Sequence, residues 1–356
     1  MVFSFPCTFF IALLLVHLPP SASIIRVAFL SDLHVGEACK PIPYNGTEAC
    51  DCIINDKRAI AYLNTLNPVP DALIITGDLT SSSWPTQWTK VKELLSNISL
   101  PLVFPVIGNH DISPYTCEGC PGSLGPIGDT LFEETFGPWL RASPNVSGYS
   151  PTTVHNPLWN CTSRFQNFQV NLIEPETGAR LAFIAGDWST REPAPPPNSG
   201  VPGWAERGLS DFPGGTLPWF RSNLAAQAAS PTPPNRLFLI QHQPISCPWY
   251  IPDFAFCFGA LDKVLLQEAM LEHFNQSSWW GVFAGHNHLF LNQTSPFGEV
   301  WPEFREVEFS ATKGDGGDSS DASAVSIVTF LGTEVTLIEE HWYDKSVNEW
   351  QVRRGV

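Results

Sequence analysis

The sequence predicts an α/β fold, and three observations carry that prediction. Five short apolar runs end in Asp, Asn or His: Phe29-Leu-Ser-Asp32-Leu-His34, Leu73-Ile-Ile-Thr-Gly-Asp78, Val106-Ile-Gly-Asn109-His110-Asp111, Leu237-Phe-Leu-Ile-Gln-His242 and Val282-Phe-Ala-Gly-His286-Asn-His288. Stretches of helical spacing lie between the early runs, and strand-helix alternation implies a parallel core. The runs after residue 300 follow one another without helices and read as antiparallel. Ligands of open α/β sheets bind outside the carboxyl ends of the strands, so five such ends can converge on one crevice.

In chain order, residues 1–23 hold the apolar run Phe9-Phe-Ile-Ala-Leu-Leu-Leu-Val16 and then Pro19-Pro-Ser-Ala-Ser23, which reads as a secretory signal. No Lys or Arg precedes Arg26, so a signal anchor is the alternative, but the run is short for a membrane span. No later segment is a candidate for a stable membrane span. Strands are expected at 25–31, 72–76, 102–107, 167–173, 180–186, 236–241, 280–284, 305–310, 323–330 and 333–340. Helices are expected at 51–66, 86–97, 217–229 and 261–274, with Pro68 and Pro231 as stops. Gly108 is expected to supply the turn that carries Asn109 and His110 out of the sheet.

Two stretches, 112–165 and 188–216, are rich in Pro, Gly, Ser and Trp, and loops of this length are functional, glycosylated or tied by disulfides. Trp188, Trp204, Trp159 and Trp249 are candidates for a pocket wall, with packing beneath the loops as the alternative. The ligand candidates run from Asp32 to His288, and a boundary within that span would split the site. Residues 24–345 therefore read as one domain and 346–356 as a C-terminal tail.

Composition narrows the compartment and the partners. A net charge of −16 and a pI near 4.9, without any basic run, exclude a nucleic acid polymer as partner, because phosphates demand clustered Lys and Arg. Losing Cys7 with the signal leaves Cys39, Cys50, Cys52, Cys117, Cys120, Cys161, Cys247 and Cys257, an even set that suits disulfides in an exported chain. The sequence does not fix their pairing. Sequons at Asn45, Asn97, Asn145, Asn160, Asn275 and Asn292 point to N-glycans, and together these features predict a secreted protein, extracellular or in a lysosomal or vacuolar lumen.

The strand-end residues are those that two metal ions about 3.5–4 Å apart require: neutral nitrogen and hard oxygen ligands and one shared carboxylate. Asp32 and His34 alternate on a strand end, as do His286 and His288, so each pair can point one way. Asp78 is the natural bridge and Asn109 offers an amide oxygen. Singly each has a bland reading: His242 before Gln243-Pro244 as a surface residue, Asp78 as a turn cap. Collectively they resist it, since five of the nine His fall in these motifs.

Asp32-x-His34, Gly77-Asp78, Gly108-Asn109-His110-Asp111, His242 and Gly285-His286-x-His288 resemble the five-block signature of the calcineurin-like metallophosphoesterase superfamily, in order and in spacing. A narrower resemblance, to the transmembrane protein 62 branch, rests on Gly-Asp-Leu-Thr followed by Trp, the long insertion after Gly-Asn-His-Asp, and Trp219-Phe-x-x-x-Leu224, while the Trp-rich loops suit a resemblance to acid sphingomyelinases. The superfamily resemblance implies a four-layer αββα sandwich of two mixed sheets with a dinuclear site at the strand ends. It implies Asp32, His34, Asp78 and His288 around one metal, and Asp78, Asn109, His242 and His286 around the other, the ions being divalent or trivalent Zn, Mn or Fe. Purple acid phosphatases place a Tyr where this chain has Ser81, which argues against an iron-tyrosinate centre.

The expected activity is hydrolysis of a small-molecule or lipid phosphate ester by a metal-bridging hydroxide, with His110 protonating the leaving oxygen and Asp111 orienting His110. The alternatives are a phosphodiesterase acting on a phospholipid headgroup or a nucleotide, and a secreted binding glycoprotein with a relic site.

Overall fold

The computed structural model describes residues 24–37, 39, 50–112, 128–156, 161–175, 177–189, 215–247, 257–294, 296–313 and 321–355. The residues of the expected signal segment up to 23, Trp159, Trp204, Trp249, Cys117, Cys120 and, of the two irregular stretches, 113–127, 157–160 and 190–214 lie outside these residues.

Two sheets form the centre of the molecule. The first runs in the order β15 (Glu349–Gly355), β14 (Glu334–Asp344), β13 (Asp321–Leu331), β1 (Ile24–Leu30), β2 (Ala72–Ile75) and β3 (Val103–Pro105). Here β1, β2 and β3 pair in parallel, whereas β13, β14 and β15 are antiparallel. The second runs β11 (Leu291–Thr294), β12 (Arg305–Glu308), β10 (Trp279–Ala284), β9 (Arg236–Gln241), β8 (Arg180–Gly186), β7 (Phe168–Ile173) and β4 (Val146–Ser147). A separate hairpin joins β5 (Thr152–Asn156) to β6 (Cys161–Phe165).

The alternation of side chains explains the layering. On β8 and β9, Leu181, Phe183, Ala185, Phe238 and Ile240 face the first sheet, while Ala182, Ile184, Leu237 and Leu239 face outward. Strands buried on both faces read as continuous apolar runs, as these do. The outward face is covered by α4 (Thr216–Ala228) and α5 (Ala260–Leu271) through Phe220, Leu224, Leu266 and Met270. The first sheet carries α1 (Asp51–Leu63) and α2 (Pro85–Leu95) through Ile53, Ile60, Leu63, Val91 and Leu94. The result is the expected αββα sandwich. Between the sheets Phe29 stacks on Phe309 at 4.6 Å and lies 4.9 Å from Phe283.

The predicted strands and helices are all present. The structure adds α3 (Gly128–Ala142), β4 and the β5–β6 hairpin within the stretch read as irregular, and β11 beyond the last ligand motif. It also places β15 in the expected tail, on the edge of the first sheet, where Gln351-Val-Arg-Arg lacks the apolar alternation of a strand with a buried face. Trp188 is 1% exposed and packs on Phe220 and Phe258, a core position and no pocket wall. Disulfides join Cys39 to Cys50 and Cys247 to Cys257, and Cys52 is a free, buried thiol raised to about 11 by burial and by Asp56. Among the described residues, no helix is long and apolar enough to cross a membrane.

Candidate metal centre

All five predicted loops meet at one edge of the sandwich. Asp32 and His34 follow β1, Asp78 follows β2, Asn109 and His110 follow β3, His242 follows β9, and His286 and His288 follow β10. Each loop takes over where the parallel pairing stops, so the ladder delivers the side chains to a common height. Asp32, His34, Asp78, His286 and His288 all have φ between 45° and 77°. Left-handed backbone at a residue with a Cβ costs about 1–3 kcal/mol and survives where the surroundings over-determine it. Five such residues in one crevice mark it as built for function.

Two glycines let the loops close. A Cβ at Gly108 would collide with the Asp78 carboxylate, and one at Gly285 with the Ser31 hydroxyl and, at 2.7 Å, with Asp32 Oδ2. Gly108 thus serves close approach; its backbone is not left-handed, in contrast to the turn role the sequence suggested.

The predicted ligands form two clusters about a shared carboxylate. Asp32, His34 and His288 place one ligand atom each within 4.8 Å of one another, as do Asp78, His242 and His286. Asp78 Oδ2 lies 3.0 Å from His242 Nε2 and 3.4 Å from His34 Nε2, one from each cluster. His34 Nε2 faces His288 Nε2 at 3.2 Å, and His242 Nε2 faces His286 Nδ1 at 3.1 Å. Asn109 is 3% exposed, and its Oδ1 makes no hydrogen bond.

These contacts fit a pair of cations. His242 Nδ1 donates to the Thr76 carbonyl at 2.8 Å, which turns the Nε2 lone pair of the neutral ring toward the Asp78 carboxylate. Lone pairs that face carboxylate oxygens and one another in a buried space repel unless a cation or a proton stands between them. The protein field shows the same demand. Burial drives His34 down to about 4 and His286 to about 3, so both rings are neutral at pH 7. Burial also pulls on His242, but the Asp78 carboxylate overcomes it and holds that imidazole up at about 9. Burial opposes the charge of Asp32 and Asp78, yet His288 and His242 respectively keep both well below the usual carboxylate range. Buried carboxylates, neutral imidazoles and an amide oxygen are a donor set for hard or borderline divalent metals.

The two residues expected to do proton chemistry occupy different situations. His110 borders the centre, with a ring nitrogen within 4.8 Å of ligand atoms of His34 and Asp78, and its Nδ1 donates to the Ser81 carbonyl at 2.8 Å. Asp111 does not orient that ring. Its fully buried carboxylate accepts from the amides of Leu79, Thr80 and Gly108 and from Thr80 Oγ1, at 2.8–3.1 Å. It therefore ties the loop after β2 to the loop after β3. Burial, together with the Asp78 charge, raises Asp111 to about 7.

Sequence reasoning missed the supporting layer. Ser31 Oγ donates to Asp32 Oδ2 and receives from Thr76 Oγ1, while the His286 amide donates to Asp32 Oδ2 at 3.1 Å. Asn287, between the two ligand histidines, donates from Nδ2 to Glu308 Oε2 at 2.8 Å. Glu308 is fully buried, and burial with the neighbouring Glu306 raises it to about 9, so it is a neutral acid at pH 7. Two Glu at alternate positions of a strand were the available signal, since Glu306 and Glu308 share one face of β12.

Comparison with known proteins agrees with this geometry. The sequence matches the model of the calcineurin-like phosphoesterase family over residues 25–290. It is 31% identical over 85 residues to a probable glycerophosphodiester phosphodiesterase, GpdQ, of Arcobacter nitrofigilis, a match that spans 24% of this chain and 29% of that relative. Among solved structures, similar chains include the GAP50 anchor of the Plasmodium inner membrane complex, with TM-score 0.48, 11% identity and 93% and 88% of the two chains covered. A purple acid phosphatase from yellow lupin (Lupinus luteus) seeds gives TM-score 0.47, 14% identity and 94% and 54% coverage. Match length and the ligand pattern lead to one conclusion: the chain belongs to the calcineurin-like phosphoesterase family, a family of metal-dependent phosphoester hydrolases.

Proposed function

We propose that this chain hydrolyses phosphate esters with two metal ions held about Asp78, Asp32, His34 and His288 on one side and Asn109, His242 and His286 on the other. The observation that carries the proposal is the single Asp78 oxygen within 3.0 Å of His242 and 3.4 Å of His34, the geometry of a bridging carboxylate. Bound there, divalent cations supply an acidified water and neutralise charge on the phosphoryl oxygens.

The chain's own groups do the rest. Asp78 and Asp32 offset cationic charge, and the left-handed loops hold the ligands without rearrangement. His110 commits its Nδ1 proton to Ser81, so the proton it delivers to a leaving oxygen is the one on Nε2. Asp111 holds the two loops in register. The working domain comprises residues 24–345 with β15 added to its edge, and it acts in an oxidising compartment outside the cytosol, for which the two disulfides are the structural support.

A diester substrate is the second reading, favoured by the 85-residue similarity to the probable glycerophosphodiester phosphodiesterase. The test is a paired assay of the metal-loaded chain on p-nitrophenyl phosphate and bis-p-nitrophenyl phosphate from acid to neutral pH, before and after chelation. Hydrolysis of either that is lost on chelation and restored by Mn, Zn or Fe supports the proposal, and the preferred compound decides between monoester and diester. No hydrolysis and no bound metal after loading would leave a binding glycoprotein with a relic site.

A further inference from the structure

His34 has one ring nitrogen that the metal centre does not use. Its Nε2 faces the other ligand atoms, with His288 Nε2 at 3.2 Å, Asp78 Oδ2 at 3.4 Å and Asp32 Oδ1 at 3.7 Å. A neutral ring that offers Nε2 as a lone pair carries its proton on Nδ1. Here Nδ1 is buried and makes no hydrogen bond. An imidazole that holds a metal donates its other N–H to a carboxylate, a backbone carbonyl or a water, which fixes the tautomer and the tilt of the ring. His242 meets that need with the Thr76 carbonyl at 2.8 Å. His34 is 2% exposed, so water is shut out and its acceptor has to come from the chain.

Glu37 stands where that acceptor is needed. Its Oε2 lies 3.6 Å from His34 Nδ1, just beyond hydrogen-bond reach. The turn His34-Val-Gly-Glu37 brings it there: the Glu37 amide donates to the His34 carbonyl at 2.9 Å, across Gly36 at φ 98°. The backbone beyond is fastened to the start of α1, because Cys52 Sγ donates to the Glu37 carbonyl at 3.5 Å and Cys39 is bonded to Cys50. The carboxylate is gripped as well. Lys313 Nζ pairs with the same Oε2, and Lys313 is itself buried, its amide donating to the Asp32 carbonyl at 3.4 Å and its carbonyl accepting from Asn55 Nδ2. One carboxylate oxygen has lone pairs for both donors. Glu37 does not compete as a ligand, since it addresses Nδ1 and leaves Nε2 to the centre.

We infer that Glu37 is a positioning residue of the metal centre: it accepts a hydrogen bond from His34 Nδ1, with Lys313 holding the carboxylate in place, and so fixes the ring that presents Nε2 to the metal shared with Asp32 and His288. This inference deepens the two-metal reading given above and rests on it.

The test uses the full chain loaded with cobalt(II), as wild type, Glu37→Ala and Glu37→Gln. Competition with a chromophoric chelator reads the affinity for each ion. Proton NMR of the loaded protein reads the exchangeable N–H lines of the ligand imidazoles, which the paramagnetic ion shifts clear of the other resonances. Glu37→Ala is expected to weaken one ion about 10–100-fold and to lose one N–H line to fast exchange with water. Glu37→Gln keeps an acceptor oxygen, so it is expected to restore most of the affinity and to keep that line at a displaced position. If Glu37→Ala does not fold, the displaced line in Glu37→Gln still decides. Identical N–H lines in wild type and Glu37→Gln, or unchanged affinity in Glu37→Ala, would overturn the inference. Equal weakening in both variants would also overturn it, by assigning Glu37 an effect of charge alone. A wild-type chain that binds no cobalt would instead sink the metal-centre reading, and the inference with it.

Discussion

The imidazole of His110 stands edge-on to that of His34, with centroids 4.5 Å apart and planes at 71°. His34 is a proposed ligand, whereas His110 is anchored through Nδ1 to the Ser81 carbonyl and comes near His34 and Asp78 without joining the Asp32–His34–His288 or Asp78–His242–His286 cluster.

His110→Ala is therefore expected to lower kcat by about 10²–10⁴, the usual worth of a positioned proton donor, while both metals stay bound. Steady-state kinetics with metal analysis of the same preparation checks this. A variant that loses metal along with activity would make His110 a ligand.

Asp111→Ala removes one acceptor from four donors that bind the loops after β2 and β3 together. Each donor left buried and unsatisfied costs about 1–3 kcal/mol before relaxation, so a loss of roughly 3–5 kcal/mol is expected in chemical denaturation. Because the tether supports Asp78 and Asn109, metal affinity falls as well. Unchanged stability would show that water replaces the carboxylate.

Glu308 tests the layer behind the ligands. Glu308→Ala deprives Asn287 of its acceptor and frees the loop carrying His286 and His288, so metal affinity is expected to fall about 10–100-fold. Glu308→Gln keeps an acceptor oxygen and should restore most of it, because the native acid is itself neutral at pH 7. Competition with a chromophoric chelator reads both.

Asp56 offers a pH signature remote from the chemistry. It is wholly buried in α1, neither carboxylate oxygen makes a hydrogen bond, and burial holds its pKa well above the ordinary value despite the opposing charge of Lys313. A carboxyl raised by folding contributes stability that is present in acid and is lost as pH climbs through its folded value. Asp56→Asn is thus expected to be more stable than wild type at pH 8, by of the order of 1–3 kcal/mol, with the difference vanishing near pH 4. Equal stability curves at both pH values would refute this.

The α/β core and its crevice were legible in the sequence because two signals coincide: strands buried on both faces write continuous apolar runs, and the runs stop at ligand-type residues; the two-sheet sandwich came from the family resemblance. Asp32, His34, Asp78, Asn109, His242, His286 and His288 could thus be named as candidates before any coordinates, and the family resemblance implied their grouping. What lay hidden depends on contacts between distant segments. Nothing local tells that the Asp111 carboxylate would turn to the Leu79 and Thr80 amides and away from His110, or that Glu308 would support Asn287. Edge strands were equally silent: β15 and β11 have no strictly buried face, and β5 with β6 forms its own ribbon, so no alternation announced them.

The first strand also sets a timetable for synthesis. β1 lies inside its sheet, with β2 on one side and β13 on the other, and Ile24 pairs with Leu331. Once residue 105 has left the ribosome, β1, β2 and β3 are free, but none of the strand that covers the other flank of β1 has been made. That flank stays open for the synthesis of more than two hundred further residues, as an apolar edge able to recruit a wrong strand. The first sheet is therefore complete around β1 only when the last tenth of the chain emerges, and Asp32 and His34, just after β1, reach their final setting no earlier.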